Sequence, residues 1–184
     1  TIAEGEVLQL TVSQDISTDE EIYLKVIRGK TAALFSAATQ VGAVISGSEE
    51  TIINALYKYG DALGVAFQIV DDLLDVVGDS RIIGKNNGDD FRERKLTLPF
   101  IKAISSCNQN EKDFWKRTIE KGDQTSEDFN TALELMQKYE AIERTRLDAL
   151  KWAKTAKNSL DAVPDNDIKI ILTNLADYVV DRVK

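Results

Sequence analysis

A chain of 184 residues can bury one substantial core or two small ones. It has no histidine and one cysteine, Cys107, which removes histidine triads and imidazole zinc sites, excludes an internal disulfide and fits a reducing, cytoplasmic compartment. A net charge of −8 argues against a nucleic-acid surface, which needs a basic face, and no run of about 18 apolar residues offers a transmembrane segment.

Two prolines and a helix-forming composition predict an all-α protein, a single domain over 1–184. The sequence starts at Thr1 with no signal or transit pattern, and the chain is expected to be part of something longer. Any chemistry falls to carboxylates, lysines, metal ions or the substrate itself.

In chain order, Glu4 to Gln14 reads as a short helix with Gly5, Glu6 and Gln9 on one side. Ser17-Thr18-Asp19 followed by Glu20 and Glu21 is an N-terminal signature, with short polar caps and first-turn acids, for a helix running to Gly29. The pattern restarts at Lys30-Thr31, where small residues at 33, 37, 38 and 42 permit close approach of a helix or a ligand. Gly29-Lys30-Thr31 is not a nucleotide-binding loop, because Leu24 stands where that loop requires glycine. Lys30 is either a surface lysine or a cation placed to meet an anion at a helix start.

After the Gly47-Ser48-Glu49-Glu50 turn comes a long helix containing YKYGDALGVAFQIVDDLLDVVGD, Tyr57 to Asp79. At about 100° per residue, Asp71 and Asp75 lie roughly 40° apart and Asp72 about 100° from Asp71. Gln68, Phe67, Gly64, Gly60 and Tyr57 fall on or beside that arc, and Leu63, Ala66, Ile69, Val70, Leu73, Leu74 and Val77 occupy the opposite side, the predicted core. Glycine costs about 1 kcal/mol in a helix interior, so the two glycines imply that something comes close. The carboxylates are either a solvated face or a site for a hard divalent cation such as Mg²⁺, which takes one or two carboxylates plus water and phosphate oxygens. An EF-hand is excluded by the ligand spacing.

The polar connection after Gly78 carries Arg81, Lys85, Arg92, Arg94 and Lys95 beside Asp89-Asp90. It is an ordinary surface loop, or a lid that brings cations to a metal-held phosphate. Further helices are predicted from Leu96 to about Ser106, Glu111 to Lys121, Ser126 to Tyr139, Ala141 to Leu160 and Asn166 to Val183. Lys151, Lys154 and Lys157 form a solvated basic stripe.

GEVLQL at 5–10, GKTAALF at 29–35, YGDALGVAFQIVDDLLD at 59–75 and GKNNGDDFRERKLTLP at 84–99 together resemble the trans-prenyltransferases, the polyprenyl diphosphate synthases. The resemblance spans essentially the whole chain and matches the C-terminal part of such an enzyme. It implies an all-α isoprenoid-synthase-type bundle around a cleft, a homodimer, and Mg²⁺-dependent condensation of an allylic diphosphate with isopentenyl diphosphate. It also implies that Asp71, Asp72 and Asp75 form the second aspartate-rich metal motif, with Asp71 the direct ligand. Lys30, Lys85 and Lys95 would bind diphosphate, Thr31 and Gln68 would line the cleft near the reacting carbons, and Phe67 would lie beside the prenyl chain. Asp90 fits the family's loop acid better than Asp89 does.

Arg94 stands where the family often has glycine, which bears on the bend of the loop. The family's first aspartate-rich motif and the basic segment for isopentenyl diphosphate normally lie upstream of the matched region. Neither occurs in these residues, so the 184 residues alone are expected to be inactive. Overall likeness suggests a medium- or long-chain product, as in quinone side chains. The other functions weighed are a non-catalytic partner subunit, against which the intact motif lysines and aspartates speak, and a class I terpene cyclase, whose second metal motif is not found.

Overall fold

The computed structural model describes residues 2–78 and 87–183, and no strand occurs among them. The helices are α1 (Ile2–Val12), α2 (Glu20–Ile27), α3 (Ala33–Ile45), α4 (Glu50–Val77), α5 (Asp89–Arg92), α6 (Leu98–Ser106), α7 (Gln109–Trp115), α8 (Asp128–Lys138), α9 (Ala141–Ser159) and α10 (Asp167–Asp181). A widened π-helical turn, Arg28–Ala32, joins α2 to α3, and a second, Lys116–Glu120, extends α7.

The 28-residue α4 is the axis of the bundle, packed most extensively against α9 and α3. Its core face carries Tyr59, Ala62, Leu63, Ala66, Ile69, Val70 and Leu73. Full burial stabilises a side chain of Leu or Ile size by about 1.5–3 kcal/mol. The facing residues of α9 are Ala149, Ala153 and Ala156, at helical spacing, which let α9 lie close along the apolar side of α4. Ala176, Val179 and Val180 of α10 close this core, and the Tyr59 hydroxyl donates to the Leu172 carbonyl at 2.7 Å. A second core gathers Phe91, Phe100, Trp115, Ile119 and Met136 from α5 to α8.

The glycines of α4 are explained by a helix, not a ligand. A Cβ at Gly60 would lie 2.6 Å from the Phe35 carbonyl oxygen and 2.4 Å from Thr39 Oγ1, and one at Gly64 would lie 2.6 Å from Ala32 Cα. The contact is made by Ala32, Phe35, Ser36 and Thr39, so the glycine edge of the polar arc is a helix-packing seam, whereas Ala37, Ala38 and Gly42, expected to permit close approach, are exposed. Val77, expected in the core, is 48 % exposed at the end of α4.

Local rules account for most boundaries. Asp19 caps α2 by accepting from the Ile22 amide at 2.8 Å, Asn108 and Glu111 form a reciprocal capping box at α7, and Asn166 caps α10. α1 begins and ends two residues before the predicted span. Helix α5 lies inside what the sequence reads as continuous polar connection. No break occurs at Gly29: α2 passes into α3 through the π-helical turn. Lys157 of the basic stripe pairs with Asp177 at 2.6 Å, linking α9 to α10.

Candidate functional site

A cavity of about 200 Å³ opens between α1, α2, α4 and the 90–97 segment, lined by Lys30, Gln68, Asp71, Asp72, Asp90 and Lys95 together with Gln9, Thr18, Tyr23 and Thr97. The local structure of each wall follows from the sequence. Gly5 brings α1 onto the π-helical turn, since a Cβ there would lie 2.5 Å from the Lys30 backbone nitrogen. At that approach Lys30 Nζ donates to Gln9 Oε1 at 2.6 Å and pairs with Glu6 at 3.0 Å. The ammonium is thus held at the cavity by α1.

The three aspartates of the DDLLD run are placed differently. Asp71 is exposed, lines the cavity and makes no hydrogen bond or ion pair among the described residues. Asp72 is 3 % exposed; its Oδ2 accepts from the Tyr23 hydroxyl at 2.6 Å and its Oδ1 from Gln68 Nε2 at 2.9 Å. Thr31 Oγ1 donates in turn to Gln68 Oε1 at 2.8 Å. The chain Tyr23–Asp72–Gln68–Thr31 fixes the Gln68 amide, and Thr31 reaches the cavity only through it. Asp75 is half-buried and turned away from the cavity: it accepts from the backbone amides of Asp89 and Asp90 at 3.1 and 3.2 Å. It thereby satisfies the free amides that open α5.

Burial raises the Asp72 carboxyl to about 7 against the pull of the Tyr23 and Gln68 hydrogen bonds, with the charges of Asp90 and Asp71 adding to the rise. Burial also lifts Asp75 to about 6, assisted by Asp90. Asp90 is raised by burial too, and by Asp71, while Lys95 opposes the shift. Lys95 pairs with Asp90 at 3.5 Å and with Glu93. The cavity therefore has an excess of negative charge on the α4 side and two lysines on the others.

No three carboxylates among the described residues converge closely enough to hold an ion unaided. The arrangement still fits Mg²⁺ in its usual mode, bound by one carboxylate with water and phosphate oxygens completing the shell: Asp71 lines the cavity and is exposed, and the charge raising Asp72 and Asp90 favours a cation. Lys85 lies outside the described residues, as do Arg81 and the first part of the expected lid. Phe67 is placed apart from this cavity, against Phe35 at 5.3 Å and under the Arg182 guanidinium at 5.7 Å, in a separate groove with Tyr178. Arg94 takes the left-handed conformation, φ 59°, that a glycine favours, so the bend is kept without one.

Tyr23, Thr18 and Thr97 were not singled out from the sequence. Tyr23 reads there as one more apolar residue at helical spacing, and only its tertiary position shows that the hydroxyl ends on Asp72. Gln9 and Glu6 are placed correctly on one side of α1, but that face gives no sign that Lys30 meets them.

The model of the polyprenyl synthetase family matches residues 1–136. Among curated relatives, the octaprenyl diphosphate synthase of Haemophilus influenzae is 37 % identical over 181 residues, covering 98 % of this chain and 55 % of the relative. The short chain isoprenyl diphosphate synthase of Methanothermobacter thermautotrophicus is 35 % identical with the same coverage. Of solved structures, a decaprenyl diphosphate synthase from Rhodobacter capsulatus superposes with TM-score 0.95 at 60 % identity, covering 100 % of this chain and 56 % of that one. A polyprenyl synthase from Caulobacter crescentus complexed with calcium and isoprenyl diphosphate superposes with TM-score 0.92 at 45 % identity, over 97 % of this chain and 55 % of that one. The chain spans about 55 % of the length of the curated relatives it matches.

Proposed function

Because the chain belongs to the polyprenyl synthetase family, a family of prenyltransferases, we propose that it is the C-terminal, diphosphate-binding part of a chain-elongating polyprenyl diphosphate synthase. The observation that carries this reading is one cavity holding Asp71, unpaired among the described residues, on one wall and Lys30 and Lys95 on the others. Cations and a metal-ready carboxylate around a small polar space suit a phosphorylated leaving group, and the chain has no histidine for imidazole-based acid–base or nucleophilic chemistry.

In this reading Asp71 holds Mg²⁺, assisted by phosphate oxygens and water. When bound, the ion supplies neutralisation of the charge that develops on the departing diphosphate. Lys30 and Lys95 donate charge-assisted hydrogen bonds to phosphate oxygens, Lys30 exchanging its hold on Gln9 and Glu6 for the substrate. Gln68, fixed through Asp72 and Tyr23, presents its amide to the reacting end of the prenyl group. Asp72 and Asp75 act from behind, the first on Gln68 and the second on the 88–90 turn that carries Asp90. Lys85 and Phe67 are proposed, on family resemblance, as a further phosphate contact and as a prenyl-chain contact. The Caulobacter crescentus polyprenyl synthase, complexed with calcium and isoprenyl diphosphate, supports a divalent cation and a diphosphate as ligands.

A medium- or long-chain product is the version favoured by the decaprenyl and octaprenyl relatives. A homodimer is proposed from the family likeness. The test is to incubate the whole protein with Mg²⁺, isopentenyl diphosphate and short allylic diphosphates, then size the products. Medium- or long-chain prenyl diphosphates are expected, and none should form with EDTA present. No condensation, or undiminished condensation in EDTA, refutes the reading. Product formation by residues 1–184 alone would show that the expected upstream motif is not required.

A further inference from the structure

Of the buried side-chain polar atoms that lack a partner among the described residues, Thr97 Oγ1 belongs to a residue lining the cavity. Thr97 is 6 % exposed. It stands at the N-cap of the nine-residue α6, with φ −91° and ψ 166°, where a threonine hydroxyl ordinarily accepts from the second or third helical amide. The second position is Pro99, which has no N–H, and the hydroxyl makes no capping bond to the third. The Thr97 carbonyl is already used, accepting from the Ile101 amide at 3.1 Å. What remains spare is the hydroxyl, and a buried hydroxyl without a partner costs about 1–3 kcal/mol. A valine would fill the same volume without that penalty.

Thr97 lines the same cavity as Lys95 and Asp71, with its hydroxyl buried just behind the wall. An anionic phosphate oxygen can only accept, and a threonine hydroxyl can donate. We propose that Thr97 Oγ1 donates a hydrogen bond to an oxygen of the diphosphate group held in this cavity, on the Lys95 side; this rests on the diphosphate reading above. The residue binds ligand and contributes nothing by its hydroxyl to the unliganded fold.

That division gives opposite signs for one substitution. In the whole protein, Thr97→Val and Thr97→Ser are melted without ligand, with Mg²⁺ alone, and with Mg²⁺ plus inorganic pyrophosphate, and pyrophosphate affinity is measured by calorimetry. Thr97→Val is expected to melt at or above the wild-type temperature without ligand. Its pyrophosphate-dependent rise should be smaller, with affinity about tenfold weaker, and Thr97→Ser should keep the wild-type affinity. An unchanged pyrophosphate response in Thr97→Val overturns the assignment. So does a lower unliganded melting temperature in Thr97→Val that Thr97→Ser restores, because the hydroxyl would then serve the fold or an ordered water. A wild type unmoved by Mg²⁺ and pyrophosphate together overturns the diphosphate reading itself.

Discussion

Asp71 and Asp72 are neighbours in sequence with opposite surroundings, and their substitution should separate function from stability. Asp71→Ala is expected to lower turnover of the whole protein by on the order of 10²-fold or more, leaving the melting temperature close to wild type because the side chain is exposed and unpaired among the described residues. Parallel activity and melting measurements check this; wild-type turnover contradicts the metal role. Tyr23→Phe should lower stability as well, besides loosening the Gln68 amide. It strips a donor from the buried Asp72 carboxylate, at a cost on the order of 1–3 kcal/mol by urea unfolding near pH 8, where that carboxylate is charged. Helical spacing placed all three aspartates within one arc, and that much was legible. Which oxygen meets which donor depends on Tyr23 and on the 89–90 amides, brought in from 49 and about 15 residues away, and no local pattern encodes that.

At the scale of elements, the seam that α4 makes with the 32–39 segment is a close backbone contact. Gly60→Ala and Gly64→Ala each gain the helix propensity of alanine, about 1 kcal/mol, and each drives a methyl group into backbone atoms of the 32–36 segment. Since backbone yields less readily than a flexible side-chain end, a net loss of about 1–3 kcal/mol is expected for either variant. Chemical denaturation would measure it, and a stabilised Gly64→Ala would show that the seam is looser than its geometry. The sequence signalled close approach through glycine and alanine, and left open whether helix or ligand supplies it. The decision needs the partner face, which lies on a different helix. Helix α5 escaped notice for a related reason: its four residues are polar but for Phe91, and its first amides are satisfied by Asp75 from α4, not by a local cap.

Across the whole molecule, the two cores divide the work: the first builds the cavity walls and the second anchors the 88–98 segment through Phe91. The second core carries a pH signature. Asp128 accepts both guanidinium arms of Arg117 at 2.6 and 3.0 Å and the Thr125 amide at 2.7 Å, which holds its carboxyl down at about 2 from an ordinary 3.8. A depressed carboxyl contributes stability that is complete above its unfolded value and vanishes as pH falls through the folded one. Wild-type melting temperature should therefore drop between about pH 4 and pH 2 more steeply than that of Asp128→Asn, and identical slopes would discount the pair. Fold class and helix order were legible at this scale because periodicity and caps are local. What covers an apolar face is not: Leu34, Val41 and Ile45 of α3 keep helical spacing yet remain more than half exposed in the described chain.

The π-helical turn at 28–32 carries a constraint on descent. It holds one residue more than an ordinary turn would, so deleting any single residue there would regularise the helix while rotating everything beyond it by about 100°. Lys30 would swing off Gln9, Thr31 would leave Gln68, and Phe35, Ser36 and Thr39 of α3 would no longer meet Gly60 of α4. Shortening by one is thus far more disruptive in this segment than replacement, and the site depends more on the count of residues between Tyr23 and Phe35 than on most of their identities.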